Sequence, residues 1–162
     1  MIQPFVLRAG FKPAVCALAA CLAAGSATAD ESFCKRQGQF DQQATYTLQQ
    51  MLERTNRQLQ QFLAGTWYFE TQSPSTGQAS YMYYTFGPDM LFAYQNRVCG
   101  GTGCNDYEGN GVFAGIPIGN GQYTMMLSVS DLNRDHECSG FALMISGNTV
   151  RDSNGLGWTR VR

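Results

Sequence analysis

The sequence predicts a mainly β protein, in which about eight antiparallel strands form an up-and-down barrel preceded by one amphipathic α-helix. Two observations support this fold class. Residues 41–64 place apolar side chains at helical spacing, and from Trp67 onward short aromatic or β-branched runs alternate with turn residues. No helical pattern separates these runs, which favours neighbouring strands that close into a barrel.

The first 29 residues have the pattern of a secretory signal peptide. A basic start precedes an apolar run at residues 14–24, and the Ala-Thr-Ala segment at 27–29 offers a small-residue cleavage site. The Leu-Ala-Ala-Cys segment at 18–21 is similar to the bacterial lipobox, whose cysteine is lipidated. We therefore expect export, most simply to the bacterial periplasm. The alternative is an envelope protein anchored to the membrane through a lipid on Cys21.

The expected mature chain has one domain with two parts, an N-terminal helical segment at 30–64 and a β-barrel domain at 65–162. Cleavage after residue 29 removes two of the 11 basic side chains and none of the 12 acidic ones, so the net charge becomes 9 − 12 = −3. The remaining basic residues form no stripe along the sequence. Binding to a nucleic acid backbone is therefore not expected.

Four cysteines remain after the signal segment, which predicts two disulfides in an exported protein. Three pairings of four cysteines are open. We favour Cys99–Cys104, which would close a small glycine loop, together with Cys34–Cys138, which would tie the N-terminal segment to the barrel.

Residues 41–64 are predicted to form a single helix. Asp41 is a suitable N-cap, and Gly65 follows the last apolar position as helix-ending glycines often do. The apolar stripe has two interpretations. It packs against the barrel, or it pairs with a protein partner or a second copy of the chain as a short coiled coil.

Eight strands are expected after this helix, each ending at a turn that contains glycine, proline, asparagine or charged residues. They are Trp67–Thr71, Ser80–Phe86, Leu91–Val98, Val112–Ile116, Gln122–Ser130, Cys138–Ile145, Thr149–Arg151 and Leu156–Val161.

The join between the helical and the β pattern reads Gly65-Thr66-Trp67, and Arg160 lies on the last expected strand. With a short barrel between them, these residues make the segment 65–162 resemble the lipocalin-like (calycin-type) barrel proteins. The resemblance implies that Gly65 turns the chain into the barrel, that Trp67 closes one end, and that Arg160 stacks across the indole. A guanidinium over an indole face gains about 1–2 kcal/mol when it is desolvated.

Strand parity places apolar and tyrosine side chains on shared faces, as expected for a barrel interior. Such a lining suits a small apolar or amphipathic ligand. The main prediction is thus an exported binding protein that holds such a ligand, and the alternative is an envelope interaction module, an inhibitor or assembly factor, with a filled barrel. The candidate ligand-binding residues are Trp67, Phe92, Tyr94, Tyr123, Met125, Leu127, Phe141 and Leu143.

No catalytic or metal-binding pattern is complete in this sequence. His136 is the single histidine, and no nucleophile motif accompanies it. Residues 106–111 imitate the start of a calcium-binding EF-hand loop, but its twelfth position is Pro117, which cannot supply a carboxylate. We interpret this segment as a polar hairpin loop. The sequence therefore predicts a protein that is not an enzyme and has no metal or cofactor.

Overall fold

Eight antiparallel strands close into a barrel, with helices before it, in the computed structural model, which describes residues 33–161. The signal segment and Cys21 lie outside the described residues, so export and lipidation stay predictions. Within residues 33–161, no helix is long and apolar enough to cross a membrane.

Each barrel strand pairs with the next one along the chain, and the last pairs with the first. A small hairpin of β1 and β2 extends the sheet at β8, because β1 pairs with β8 in parallel. The elements are β1 (Lys35–Arg36), β2 (Gln39–Phe40), α1 (Gln42–Arg54), α2 (Arg57–Leu63), β3 (Gly65–Gln72), β4 (Ala79–Phe86), β5 (Leu91–Gly100), β6 (Gly103–Gly119), β7 (Gln122–Asp131), β8 (Glu137–Ser146), β9 (Thr149–Asp152) and β10 (Gly157–Arg160).

The prediction of one helix over 41–64 is wrong, because the chain breaks at Thr55 and Asn56 into α1 and α2. The Asn56 side chain accepts a hydrogen bond from the Leu59 amide at 3.0 Å and so caps α2. The Asn56 amide bonds to the Gly115 carbonyl at 3.1 Å, and the Gly115 amide bonds to the Thr55 hydroxyl at 3.2 Å. The helix ends here because β6 competes for these backbone groups.

Helix α1 covers the outside of the barrel. Asp41 is confirmed as its N-cap, since the carboxylate accepts a hydrogen bond from the Ala44 amide at 2.9 Å. Leu48 and Met51 are buried in a cluster with Val112 of β6 and its neighbours. The apolar side of α1 therefore faces the barrel, and a partner helix would meet its polar side.

Helix α2 closes one end of the barrel, which we call the closed end. Leu59 and Leu63 are buried and belong to the interior cluster of the barrel. A Cβ atom at Gly115 would lie 2.4 Å from a Leu59 methyl carbon and 2.7 Å from the Met125 sulfur. A larger residue at this point would therefore displace the side chains of Leu59 and Met125 where α2 meets the barrel.

The interpretation of residues 106–111 as a hairpin loop is wrong, because β6 runs through them without interruption. Its polar residues alternate, so that Asp106 and Glu108 face outward opposite Arg97 and Gln95. Glycines occupy the inward side further along: a Cβ at Gly111 would lie 1.8 Å from a backbone oxygen of β7. Strand β6 is thus longer than the predicted strand, and its glycines allow the backbone of β7 to approach closely.

Both expected disulfides are confirmed. Cys34 and Cys138 are joined with Cα atoms 5.4 Å apart and a sequence separation of 104. Cys99 and Cys104 face each other across the β5–β6 hairpin, with Cα atoms 4.0 Å apart and a separation of five. One bond anchors the N-terminal segment to β8, and the other closes the tip of a hairpin.

Candidate functional site

The eight residues predicted to bind a ligand lie together inside the barrel. Six are buried, and Tyr123 and Phe141 are half-buried against the same cluster. The buried six are Trp67, Phe92, Tyr94, Met125, Leu127 and Leu143. Strand parity therefore grouped these side chains correctly, although no bound molecule tests their role.

Trp158 occupies the centre of this interior. Its indole stacks on Phe69 at 5.2 Å between ring centroids and on Phe86 at 6.1 Å. It meets Tyr84 edge-on at 5.5 Å and lies 6.0 Å from Phe141 of β8. Aromatic side chains from β3, β4, β8 and β10 therefore fill the barrel at this level. The sequence offered one signal for this residue, namely its position two residues before Arg160 and hence on the same strand face.

Trp67 and Arg160 meet at the closed end. The indole N–H of Trp67 donates to the Leu63 carbonyl at 2.8 Å, and the Arg160 guanidinium carbon lies 4.5 Å from the indole centroid. Arg160 also donates to the carbonyls of Phe62 and Ala64, the latter at 2.6 Å. These contacts tie the last strand to the end of α2, where carbonyl groups lack helical partners.

A polar cluster of Tyr94, Asp131 and Arg134 connects strand β5 with the end of β7 and the loop that follows it. The Tyr94 hydroxyl donates to Asp131, and Arg134 donates to the Tyr94 oxygen at 2.7 Å. The backbone amides of Asn133 and Arg134 each donate to the other Asp131 oxygen at 2.7 Å. The cluster therefore fixes the loop between β7 and β8.

The ionisation of these groups follows from their surroundings. Burial opposes the charge on Asp131, but hydrogen bonds from Tyr94 and from the loop amides outweigh it and hold the pKa of this carboxyl below its ordinary value. Burial raises the pKa of Tyr84, which points into the same part of the barrel, and the charge of Arg134 opposes that rise.

A concave surface crosses the outer wall of β4 to β7, and we call it the outer groove. Exposed side chains of mixed polarity line it; Tyr83 is 40% exposed and Leu132 fully exposed. Arg97 forms two hydrogen bonds to Asp106, at 2.7 and 3.0 Å, which hold the pKa of that carboxyl low. Its outward-facing lining is Tyr81, Tyr83, Ala93, Gln95, Arg97, Asp106, Glu108, Asn110, Ser130, Leu132 and Asn133.

Sequence reasoning missed the outer groove, although residues 80–86 carry aromatic side chains at both odd and even positions. The register places Met82, Tyr84 and Phe86 inside the barrel and leaves Tyr81 and Tyr83 outside. The aromatic side chains on the outer face of β4 were the signal that the sequence offered. It gave no position, because the extension of β6 through residues 103–111, which supplies part of the lining, was not predicted.

The residues considered for catalysis lie apart from both regions. His136 stacks on Phe33 with ring centroids 4.1 Å apart, and its Nε2 atom lies 3.3 Å from a carboxylate oxygen of Asp135. Across residues 33–161, no three His, Cys, Asp or Glu side chains are placed to hold a metal ion together.

Comparison of the chain with protein-family models, with curated proteins and with solved structures finds no significant match. The function is therefore argued from the geometry alone.

Proposed function

We propose that this protein is an exported, non-enzymatic interaction module that binds another protein through the outer groove. One observation carries the proposal. The centre of the barrel is filled by Trp158 and its aromatic neighbours, whereas Tyr83 and Leu132 are exposed in a concave surface outside. The filled barrel then acts as a rigid support for the binding surface, as expected for an inhibitor or an assembly factor.

The side chains of the outer groove are typical of protein interfaces. Tyrosine and arginine are enriched at such interfaces, and tyrosine supplies a large contact area for little loss of conformational freedom. Tyr81, Tyr83 and Arg97 provide these residue types on adjacent strands. Amide side chains such as Gln95 and Asn110 add adaptable hydrogen bonding.

The place of action follows from the cysteines. Two disulfides are typical of a protein that folds in an oxidising compartment. Together with the signal pattern at 1–29, this favours the bacterial periplasm, and lipidation at Cys21 would instead anchor the same domain to the envelope membrane.

We also propose that the domain is an up-and-down barrel of the lipocalin-like type. The sequential strand pairing supports this, as does the contact of Arg160 with Trp67. Gly65 adds a local reason, because its φ of +112° is unfavourable for other residues and a Cβ there would lie 3.3 Å from Arg160. Solving the structure of the purified protein and comparing its strand order and barrel closure would test the assignment.

A small apolar or amphipathic ligand is the second candidate, and a separate observation favours it. Met82, Tyr84 and Phe141 face the interior yet are only half-buried, so part of the interior lining stays accessible from outside. Native mass spectrometry of the purified protein would show a bound lipid-sized mass if this is correct. An unliganded mass after mild purification would reject it.

The interaction proposal is tested by capture from an envelope extract with immobilised protein. We expect Tyr83→Ser and Leu132→Ser to reduce the amount of the captured partner at least about tenfold, because each removes an exposed contact surface. Tyr46→Ser is the matched control, since Tyr46 is 56% exposed on α1, away from the groove. Equal capture by all variants, or an equal loss with Tyr46→Ser, would reject the outer groove as the site.

A further inference from the structure

One edge of strand β6 is unpaired for six residues. Strand β6 pairs with β5 over Gly103–Val112, but it pairs with its other neighbour, β7, only from Gly109 onward. Among the described residues, no strand therefore covers the second side of residues 103–108. Free strand edges are rare in barrels, because closure normally pairs every strand on both sides.

The register identifies the backbone groups on this edge. Directly opposed residues in antiparallel strands have Cα atoms about 4.5 Å apart when they do not exchange hydrogen bonds and about 5.5 Å apart when they do. The 4.0 Å between Cys99 and Cys104 marks a pair of the first kind. By alternation, the amides and carbonyls of Cys104, Asp106 and Glu108 point away from β5, toward the free side.

This edge borders the outer groove. Asp106 and Glu108 belong to both, and Leu132 and Asn133 line the groove from the loop beyond β7. An extended chain laid along the edge would continue the sheet where β7 stops, and alternate side chains would contact Leu132. Strand addition of this kind combines backbone hydrogen bonds with side-chain pockets.

The charges of this surface indicate which kind of segment would bind to the edge. Asp106 and Asp131 are paired with Arg97 and Arg134, whereas Glu108 forms no ion pair with the described residues. Three carboxylates and two guanidinium groups leave one net negative charge. A second copy of the chain would place its own acidic edge opposite this one, and like charges directly opposed are unfavourable. A basic segment would instead bring charges of the opposite sign to this edge.

We infer that the partner binds as an extended, basic peptide segment that adds to the free edge of β6 at Cys104, Asp106 and Glu108. This inference rests on the proposed function and specifies how the partner enters the outer groove.

The test measures fluorescence anisotropy of two labelled peptides at low salt, an alternating Val-Lys octapeptide and its Val-Glu counterpart. We expect the basic peptide to bind at least about tenfold more tightly, since charges of the wrong sign oppose docking. Methylating alternate amide nitrogens of the basic peptide should weaken binding at least about tenfold, because these hydrogen bonds are lost. Equal binding of both peptides, or of the methylated and free peptide, would overturn the inference.

Glu108→Pro tests the protein side of the same contact. Proline removes the free-edge amide but no bond to β5, and edge strands accept it. We expect at least about a tenfold loss of affinity. Glu108→Gln, which keeps the amide, should weaken binding only about threefold, as for an exposed ion pair. Circular dichroism shows whether each variant is folded. If the proline variant does not fold, binding of the methylated peptide to the native protein tests the backbone hydrogen bonds instead.

The outcomes separate this inference from the proposal on which it rests. Capture that depends on Tyr83 but not on Glu108→Pro, together with peptide binding that methylation does not weaken, would reject strand addition and keep the interaction module. Capture that ignores Tyr83 and Leu132 would reject the interaction module itself. A dimer found by sedimentation without peptide, and lost in Glu108→Pro, would overturn the basic-peptide assignment in favour of a second copy.

Discussion

The closed end of the barrel and the β5–β6 hairpin are built in opposite ways. At the closed end, Trp67 is 1% exposed and its indole N–H has a partner, and Arg160 ties the last strand to α2. In the hairpin, residues 100–108 are all exposed, and no strand within residues 33–161 pairs with one edge of β6 there. Stability is thus concentrated in one region, which leaves the other available for recognition.

The two disulfides should show the largest difference between these regions. Removing Cys34–Cys138 by changing both residues to alanine frees a connection across 104 residues, whereas Cys99–Cys104 spans only five. In the chain-entropy model the expected losses in the free energy of unfolding are about 4.7 and about 2 kcal/mol. Urea unfolding of the two double variants measures both. Similar losses would show that the hairpin supports the fold as much as the N-terminal anchor does.

Trp158→Ala should be nearly as damaging. It removes the indole at the centre of the filled barrel, and large aromatic-to-alanine changes in a core cost about 3–5 kcal/mol. Tyr83→Ala is the control in the outer groove, where an exposed side chain should change the free energy of unfolding by less than about 1 kcal/mol. A Trp158 variant with nearly normal stability would mean that the interior is not filled as described.

Much of the closed end could be predicted from the sequence, because local patterns determine it. The period-two runs around Phe92 and Leu127 identified inward side chains, and the positions of four cysteines suggested both disulfides. The meeting of Trp67 with Arg160 was expected from the family resemblance rather than from physics. The predicted inward positions and Trp67 are buried, where burial and alternation are linked, whereas Cys104 and Arg160 are exposed.

The helix break and the long strand β6 could not be predicted, because both depend on contacts distant in the sequence. Thr55 continues the apolar stripe, and only the approach of Gly115 makes it end α1. The polar segment at 106–111 is typical of a loop until β5 supplies its partner strand. Residues of that strand line the outer groove, so the groove could not be predicted either.

Arg160→Ala sharpens the comparison at the closed end. The change removes hydrogen bonds to two carbonyls at the end of α2 and the contact with the indole of Trp67. Because Arg160 is partly in solvent, we expect a loss of about 1–2 kcal/mol in urea unfolding. Arg160→Lys keeps the charge but has no planar fork, so its loss should be intermediate. If both variants were as stable as the native protein, the stacking would be incidental.

The smallest effect concerns acid stability at Asp131. Its folded-state pKa lies below the ordinary value of 3.8, so the carboxylate stabilises the fold above that pH and loses this contribution as the pH falls through the lowered value. We expect Asp131→Asn to lower the free energy of unfolding at pH 7 by no more than about 1 kcal/mol. The difference from the native protein should shrink below about pH 4.

Asp106→Asn provides the matched comparison in the exposed hairpin. The hydrogen bond from Arg97 also lowers the pKa of Asp106, but water surrounds this pair and screens it. Its substitution should therefore change acid stability less than Asp131→Asn does. Urea unfolding of both variants at pH 3 and pH 7 decides the order. A larger pH-dependent loss at Asp106 would contradict this expectation and show that the exposed hairpin contributes more to acid stability than the shielded carboxylate of Asp131.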